Sequence, residues 1–305
     1  MRAALKFYKG DLDMPTKSTA VTDNQQYLVN SYFEEATSYW AEIYQRYGIK
    51  EFIHQERLRI VLDWAARIGL PSNARVLDVG SGAGLAAVAL AKRGHVVEAI
   101  DPVQSMVDAT RDRATKEGVE HLVRSSVEDV NSLSFPDATF NLVIAIGVLP
   151  WLSSIENPLR EMYRVLHPEG YLIITVDNRW CLSRFLDPAS NPLLGPIRRL
   201  ARGILRSRVR EKLHARAQVT STRECDSLLR ASGLKKIRGI TLGFGPFSLF
   251  GNELLPYGSG RKAHQTCQDL ADRGVAVFRS GGAQYLVLAR KCDAPLTMNG
   301  FVSGA

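Results

Sequence analysis

The sequence predicts an α/β protein built on a doubly wound, mostly parallel sheet of seven strands. Between residues 75 and 177, apolar runs of strand length alternate with helix-compatible runs, which is typical of a parallel sheet. The first strand leads directly into three glycines at alternate positions, Gly80, Gly82 and Gly84, and a helix-compatible run follows at once. Two further strand-like runs lie towards the carboxyl end of the chain. The predicted strands span residues 75–79, 96–101, 121–126, 140–146, 171–177, 234–242 and 283–291.

The segments around these strands divide the chain into six predicted parts. Residues 24–70 carry apolar and aromatic side chains at helical spacing, which predicts a helical lid with one helix near residues 52–68. Residues 71–177 are expected to form a nucleotide-binding core. The other predicted parts are a disordered tail at 1–23, a basic helical insertion at 178–223, strands completing the sheet at 224–293 and a disordered tail at 294–305.

Composition places the chain among ordinary globular proteins. It has 305 residues, of which 45% are hydrophobic and 23% charged, so it can bury a sizeable core. The longest apolar runs have strand length and the first residues lack the apolar stretch of a signal peptide, so we expect neither a membrane span nor secretion. Four widely spaced cysteines without a zinc-binding pattern favour reduced thiols and a cytoplasmic protein.

The three glycines and the residues around them, 80–84, form what we call the glycine turn. A strand, a glycine turn and a helix make up a nucleotide site at the carboxyl edge of a parallel sheet. Leu85 occupies the position of the third glycine in the dinucleotide fingerprint, and Asp78 would repel a pyrophosphate. No lysine follows in the pattern of a P-loop. The turn therefore suits S-adenosylmethionine, which carries an ammonium and a sulfonium and no phosphate, better than NAD.

Two more acids follow predicted strands at the same edge. Asp101 ends the second strand about 20 residues after the turn, where a carboxylate can accept both hydroxyls of a ribose. Asp129 comes shortly after the third strand and is placed to accept from an adenine amino group. A tightly packed turn without a ligand is the alternative interpretation, and the joint placement of acids and glycines argues against it.

Residues 75–177 resemble the class I S-adenosylmethionine-dependent methyltransferases. The similarity rests on four blocks in the right order, at residues 76–84, 99–106, 133–143 and 159–171. It implies a Rossmann-like methyltransferase fold whose last strand is antiparallel. The cofactor-binding residues that it implies, together with the acids discussed above, are Asp78, Gly80, Ser81, Gly82, Gly84, Asp101, Pro102, Met106, Asp129, Val130 and Ile146.

The chain departs from the family pattern at three places. Asn141 stands where relatives have Asp, and Glu169 stands where they have Gly. Many relatives also carry a His near position 150, whereas this chain reads Gly-Val-Leu-Pro-Trp over 147–151. The catalytic base of those relatives therefore cannot be transferred to this sequence.

Three residues are weak candidates for a catalytic role. His54 lies between the predicted N-terminal helices and could reach the cofactor, although a structural histidine fits as well. Asp177, with Asn178, follows the fifth strand on the ligand side, although Asp177 could simply cap a helix. Tyr32, with Tyr39 and Tyr44, could form a wall over the substrate, or could be part of the core.

The insertion concentrates the positive charge of the chain. The stretch between residues 181 and 216 contains nine basic residues and two acidic ones, so its net charge is +7, compared with +8 for the whole chain. Apolar residues among the arginines over 193–216 are consistent with a basic amphipathic helix, which could contact an anionic substrate or a membrane surface. A solvated helix is slightly favoured over both. A nucleic-acid partner is disfavoured because aromatic residues do not alternate with the arginines.

The sequence therefore predicts a methyltransferase that uses S-adenosylmethionine on a small-molecule acceptor, most simply a hydroxyl, in a biosynthetic pathway, with no metal. The acceptor could be anionic or amphipathic. Transfer to nitrogen or carbon stays open. So does a non-catalytic, membrane-associated protein that binds the cofactor on the same fold, because fold alone does not dictate function.

Overall fold

A computed structural model describes residues 19–43, 45–188, 190–195, 217–250 and 252–292. Three helices open this part of the chain, α1 at Thr19–Glu35, α2 at Thr37–Glu42 and α3 at Ile49–Arg67. The predicted helices of residues 24–70 are thus present, but α1 begins at Thr19, so the prediction that the disordered tail extends to residue 23 is wrong. Tyr44 lies outside the described residues.

Alternating strands and helices follow. The strands are β1 Arg75–Val79, β2 Val96–Asp101, β3 Val123–Val127, β4 Phe140–Ala145, β5 Leu166–Asn178, β6 Val219–Thr220, β7 Leu234–Leu242, β8 Ser248–Leu249, β9 Asn252–Glu253 and β10 Gln284–Lys291. The helices are α4 Leu85–Ala91, α5 Gln104–Lys116, α6 Glu156–Val165, α7 Leu182–Leu186, α8 Thr222–Ala231, α9 Tyr257–Asp272 and α10 Ala276–Arg279, with a 3-10 helix at Leu149–Trp151.

The main sheet has the strand order β3-β2-β1-β4-β5-β10-β7. Strands β1 to β5 are parallel, and β10 runs antiparallel to both of its neighbours. All seven predicted strands are therefore confirmed. The short strand β6, which pairs with the end of β5, and the β8–β9 hairpin were not predicted. Two residues of strand leave too little periodicity to recognise in a sequence.

The core lies on both faces of this sheet. One cluster includes Phe140, Met162 and Leu166, and the other includes Val61 and Leu90, all fully buried. Strands covered on both faces read as continuous apolar runs, which explains why β4 is buried at nearly every position. This packing fixes the carboxyl edge of the sheet, where β1, β2 and β4 end side by side.

Most of the predicted basic helix, residues 196–216, lies outside the described residues. Within the described ranges, no helix combines the length and apolarity that crossing a membrane requires. Contact of residues 193–216 with a membrane surface stays a prediction, and salt-sensitive sedimentation with anionic liposomes would test it.

Glu169 occupies a backbone conformation that glycine would adopt with less strain. Its φ is +63°, and its carboxylate pairs with the Arg290 guanidinium at 2.8 Å on the surface. We expect Glu169→Gly to be more stable than Glu169→Ala by about 0.5–1 kcal/mol, because both variants lose the ion pair and only glycine relieves the strain. Denaturant unfolding of the two variants would check this order, and equal stabilities would contradict it.

Candidate active site

Each glycine of the glycine turn has a positive φ, at +62° for Gly80, +53° for Gly82 and +74° for Gly84. A Cβ on Gly80 would lie 2.4 Å from the Val148 side chain, and one on Gly84 would lie 2.7 Å from Thr110. Among the residues that the structure describes, leaving aside its two chain neighbours, a Cβ on Gly82 would have no atom within 4 Å. Packing therefore explains the outer two glycines, whereas Gly82 borders open space in which a ligand can approach the backbone.

Asp101 holds the glycine turn from the end of β2. Its Oδ2 accepts from the Gly82 backbone N–H at 2.9 Å, and its Oδ1 accepts from the Val103 N–H at 3.0 Å. Burial raises the pKa of Asp101 to about 6, and these two hydrogen bonds oppose the rise. Each carboxylate oxygen has two lone pairs, so Asp101 keeps acceptor capacity for a ligand hydroxyl.

Asp78 is a buried acid with unused hydrogen-bonding capacity. The side chain is 2% exposed, and Oδ2 has no hydrogen-bond partner among the described residues. Burial raises the pKa of Asp78 to about 8, the negative charge of Asp101 adds to the rise, and a hydrogen bond from the Ala87 backbone opposes it. An opposite charge beside Asp78 would reverse these effects.

Ser81 supplies a second unsatisfied group at the same place. Its Oγ is buried and also lacks a partner within the part of the chain that the structure describes. Buried polar atoms are rarely left unpaired in folded proteins. Asp78 and Ser81 together therefore indicate a ligand with a cationic group and further polar atoms at the glycine turn.

Asp129 lies at the same edge of the sheet. It follows by two residues Val127, the register partner of Asp101. Its side chain is exposed, and Oδ1 accepts from the backbone and side-chain nitrogens of Asn131 at 2.9 and 2.8 Å. Val130 is buried in the core. Asp129 thus already uses one carboxylate oxygen as an acceptor for hydrogen bonds within its own loop.

The other predicted cofactor-binding residues differ in accessibility. Pro102 is exposed and Ile146 is half-buried against the core cluster. Met106 is 1% exposed, and its side chain packs in the interior.

An aromatic cluster covers the edge where β4 ends. Trp151 stacks with Tyr32 at a centroid distance of 6.2 Å and meets Phe33 edge-on at 5.4 Å. Trp40 contacts Phe33 at 5.9 Å and His54 at 5.5 Å. These contacts join α1, α2 and α3 to the segment that follows β4, so the N-terminal helices lie over the predicted ligand edge.

Arg113 connects the same helices to the glycine turn. Its Nε donates to the Ala83 carbonyl and its Nη2 to the Ala41 carbonyl, both at 2.7 Å. A single guanidinium thus fixes the position of α2 relative to the turn.

The candidates for proton transfer lie in different surroundings. Burial lowers the pKa of His54 well below its usual value, and the charge of Arg57 adds to this effect. Burial raises the pKa of Tyr32. Burial also raises the pKa of Asp177, while the charges of Arg184 and Arg57 oppose the rise.

Asn178 does not face a ligand. Its Nδ2 donates to the carbonyls of Ser280 and Gly282, both at 2.8 Å, and its Oδ1 accepts from the Trp180 N–H. The expectation that Asn178 touches an acceptor is therefore wrong, because the side chain anchors the loop before β10.

Arg57 is a residue at this edge that sequence reasoning missed. It is 7% exposed, and its Nη1 donates to Gln284 Oε1 at 3.4 Å, across 227 positions of sequence. A charged residue within a helix normally indicates a solvated face, so the sequence carries no signal for this burial.

Asn141 has a clear structural role. Its Oδ1 accepts from the Arg75 backbone N–H at 3.0 Å and so ties the start of β1 to β4. This departure from the family pattern lies at the opposite end of the strands from the glycine turn and leaves that turn intact.

Comparison with known proteins agrees with this geometry. A family model described as a methyltransferase domain matches residues 77–174. The ubiquinone biosynthesis O-methyltransferase of Rickettsia felis is 28% identical over 149 residues, which are 48% of this chain and 59% of that protein. The ubiquinone/menaquinone biosynthesis C-methyltransferase of Hydrogenovibrio crunogenus is 40% identical over 103 residues, which are 32% of this chain and 40% of that protein.

A solved structure shares the fold. It is a S-adenosylmethionine-dependent methyltransferase from Thermotoga maritima, described as a possible histamine N-methyltransferase, with 19% identity and a TM-score of 0.52. The alignment covers 85% of this chain and 98% of that one. The curated relatives are covered over three fifths of their length or less, so the similarity concerns the domain around the glycine turn. Residues 77–174 therefore form a methyltransferase domain of the class I S-adenosylmethionine-dependent family.

Proposed function

We propose that this protein transfers a methyl group from S-adenosylmethionine to a small molecule. The observation that carries the proposal is the pair of unsatisfied buried atoms, Asp78 Oδ2 and Ser81 Oγ, beside the open space at Gly82. When bound, the cofactor would supply a methyl group on a sulfonium, from which a neutral thioether departs as a good leaving group. What remains for the protein is to bind and align the reactants, which can lower a barrier by about 7–11 kcal/mol.

Each part of the cofactor has a proposed partner. The methionine portion would lie along the glycine turn, with its ammonium beside Asp78. Asp101 would accept the ribose hydroxyls, and Asp129 with Val130 would flank the adenine. Asp78 and Asp101 suit this cofactor because its ammonium and its ribose hydroxyls interact favourably with carboxylates, and because it has no phosphate that they would repel.

A hydroxyl acceptor is the proposed substrate class. The names of the two curated relatives include both an O- and a C-methyltransferase of quinone biosynthesis, which supports a small-molecule acceptor and leaves the acceptor atom to experiment. A hydroxyl must lose its proton, so transfer to oxygen requires a base within reach.

Asp177 is the best of the three candidates for that base. The lowered pKa of His54 makes it a weak proton acceptor, and the raised pKa of Tyr32 keeps its phenol protonated. The raised pKa of Asp177 makes its carboxylate more basic, and the residue lies near the carboxyl end of β5.

We expect Asp177→Asn to lower kcat about 10²- to 10⁴-fold, because the amide cannot take a proton. The affinity for S-adenosylhomocysteine should stay within about twofold, since Asp177 lies outside the glycine turn. Steady-state kinetics combined with a binding titration would separate the two effects. Full activity of the variant would remove Asp177 from the mechanism.

A screen with a radiolabelled methyl donor tests the function itself. The purified protein would be incubated with pools of small hydroxylated, amino and carbon-nucleophile acceptors, and labelled products would be separated and identified. We expect a labelled O-methyl product. A protein that binds the cofactor and labels no pool would favour the non-catalytic alternative.

A further inference from the structure

Two side chains of α5 hold the backbone of the glycine turn. The Thr110 hydroxyl donates to the Gly82 carbonyl at 2.8 Å, and Arg113 Nε donates to the Ala83 carbonyl at 2.7 Å. Thr110 is fully buried, and Arg113 is half-buried. Because Gly82 is the glycine beside the open space, the backbone that a ligand would contact takes its orientation from α5.

The same helix also holds both ends of α2. The hydroxyl oxygens of Ser105 on α5 and Thr37 at the start of α2 lie 2.7 Å apart, at hydrogen-bonding distance. Arg113 Nη2 donates to the Ala41 carbonyl in the last turn of α2, also at 2.7 Å. The last carbonyls of a helix generally have no partner within that helix, and a guanidinium group is a favourable one.

The position of α2 depends strongly on these hydrogen bonds. All six of its residues, Thr37–Glu42, are described, and none of them is buried. Short helices are marginal in water, and most of their stability in proteins comes from packing a buried face. Without such a face, α2 relies on the side chains of α5. It carries Trp40, which contacts Phe33 and His54 in the aromatic cluster, so the order of α2 determines the order of that cover.

We propose that Arg113 is a positioning residue that couples occupation of the glycine turn to the order of α2. One guanidinium group spans the two segments, so a ligand that fixes the turn also fixes the group that holds the end of α2. Coupling between two sites is reciprocal, so an ordered α2 must raise the affinity for the cofactor by the same factor. The bound cofactor thus prepares the aromatic cluster for the acceptor. This inference rests on the proposed function.

Hydrogen–deuterium exchange measures this coupling without knowledge of the acceptor. The exchange rates of the α2 amides would be compared with and without saturating S-adenosylhomocysteine, because exchange reports the free energy of local opening. In the wild-type protein we expect the ligand to slow this exchange about fivefold or more. In Arg113→Gln, whose shorter side chain cannot span both carbonyls, the slowing should vanish. By reciprocity, the affinity of this variant for S-adenosylhomocysteine should fall by a similar factor.

Two further variants separate the hydrogen bonds of Arg113 from its charge. Arg111 lies on the same helix with a 59% exposed side chain and pairs with Asp108 at 3.0 Å, so Arg111→Gln should keep the wild-type slowing and affinity. Arg113→Lys keeps the positive charge and lacks the planar fork of N–H donors that reaches two carbonyls at once. We therefore expect Arg113→Lys to behave like Arg113→Gln.

The outcomes of this experiment are distinct. Equal slowing of α2 exchange in Arg113→Gln and in the wild-type protein would overturn the inference, and so would wild-type α2 amides that do not respond to the ligand. If Arg113→Gln does not fold, Arg113→Lys decides by the same criterion. Wild-type protein that fails to bind S-adenosylhomocysteine would contradict the proposed function instead.

Discussion

Gly82→Ala is expected to weaken S-adenosylhomocysteine binding about a hundredfold, or roughly 2.8 kcal/mol, while the protein stays folded. The new methyl group would meet no atom of the described, non-neighbouring residues within 4 Å, so it would occupy the space that we assign to the ligand. The positive φ of +53° adds backbone strain of about 1–2 kcal/mol to the folded state. Calorimetric titration and denaturant unfolding of the variant measure the two effects separately.

Gly94→Ala is the matched control for this substitution. Gly94 also has a positive φ, at +87°, and a Cβ there would likewise lie more than 4 Å from every described residue other than its chain neighbours. It lies between α4 and β2, at the opposite end of the sheet from the glycine turn. We expect the same loss of stability and unchanged ligand affinity. Equal affinities in the two variants would contradict the assignment of the open space to the cofactor.

Proton release on cofactor binding is the second large effect that we expect. The pKa of Asp78 is about 8 in the ligand-free protein, so most of this carboxyl is protonated at pH 7. A ligand ammonium beside it would favour the carboxylate and lower the pKa. Binding at pH 7 should therefore release close to one proton, and the affinity should fall up to tenfold for each pH unit below 8. Above pH 8 the carboxyl is already ionised, so the affinity should level off.

Calorimetry in two buffers of different ionisation enthalpy measures this proton release. Asp78→Asn keeps the shape of the side chain and cannot ionise, so it should bind more weakly, without proton release and with a flatter pH dependence. An affinity of the wild-type protein that does not change between pH 6 and 8 would contradict the role of Asp78.

The raised pKa of Asp78 should also make the stability of the ligand-free protein depend on pH. The pKa of Asp78 is higher in the folded protein than the ordinary value of 3.8, so the folded state binds a proton more tightly than the unfolded chain does. Stability of the ligand-free protein should therefore fall as the pH rises from about 4 towards 8. Asp101, with a pKa of about 6, contributes in the same direction up to that pH.

The glycine turn could be predicted from sequence because the strand, the glycines and the helix that define it follow one another directly along the chain. A strand, closely spaced glycines and a helix determine where Asp78 lies, and the next strand end determines Asp101. Both acids are found at one edge, close enough for the charge of Asp101 to raise the pKa of Asp78.

The roles of Arg57 and Asn178 could not be predicted in this way. Arg57 is buried because distant segments, including Gly147 and Gln284, meet around it, and no pattern within α3 signals this. Asn178 likewise looks like a ligand-facing residue in sequence, but its partners are backbone carbonyls about a hundred residues away. Long-range contacts of this kind determine side-chain roles that local spacing leaves open.

A calorimetric titration of the wild-type protein with S-adenosylhomocysteine, with NAD in parallel, tests the central claim most directly. The carboxylates of Asp78 and Asp101 and the open face of Gly82 should give saturable one-to-one binding of the sulfur nucleoside and no binding of NAD. Heat from NAD alone, or no heat from S-adenosylhomocysteine at concentrations up to about a millimolar, would contradict the assignment of this site.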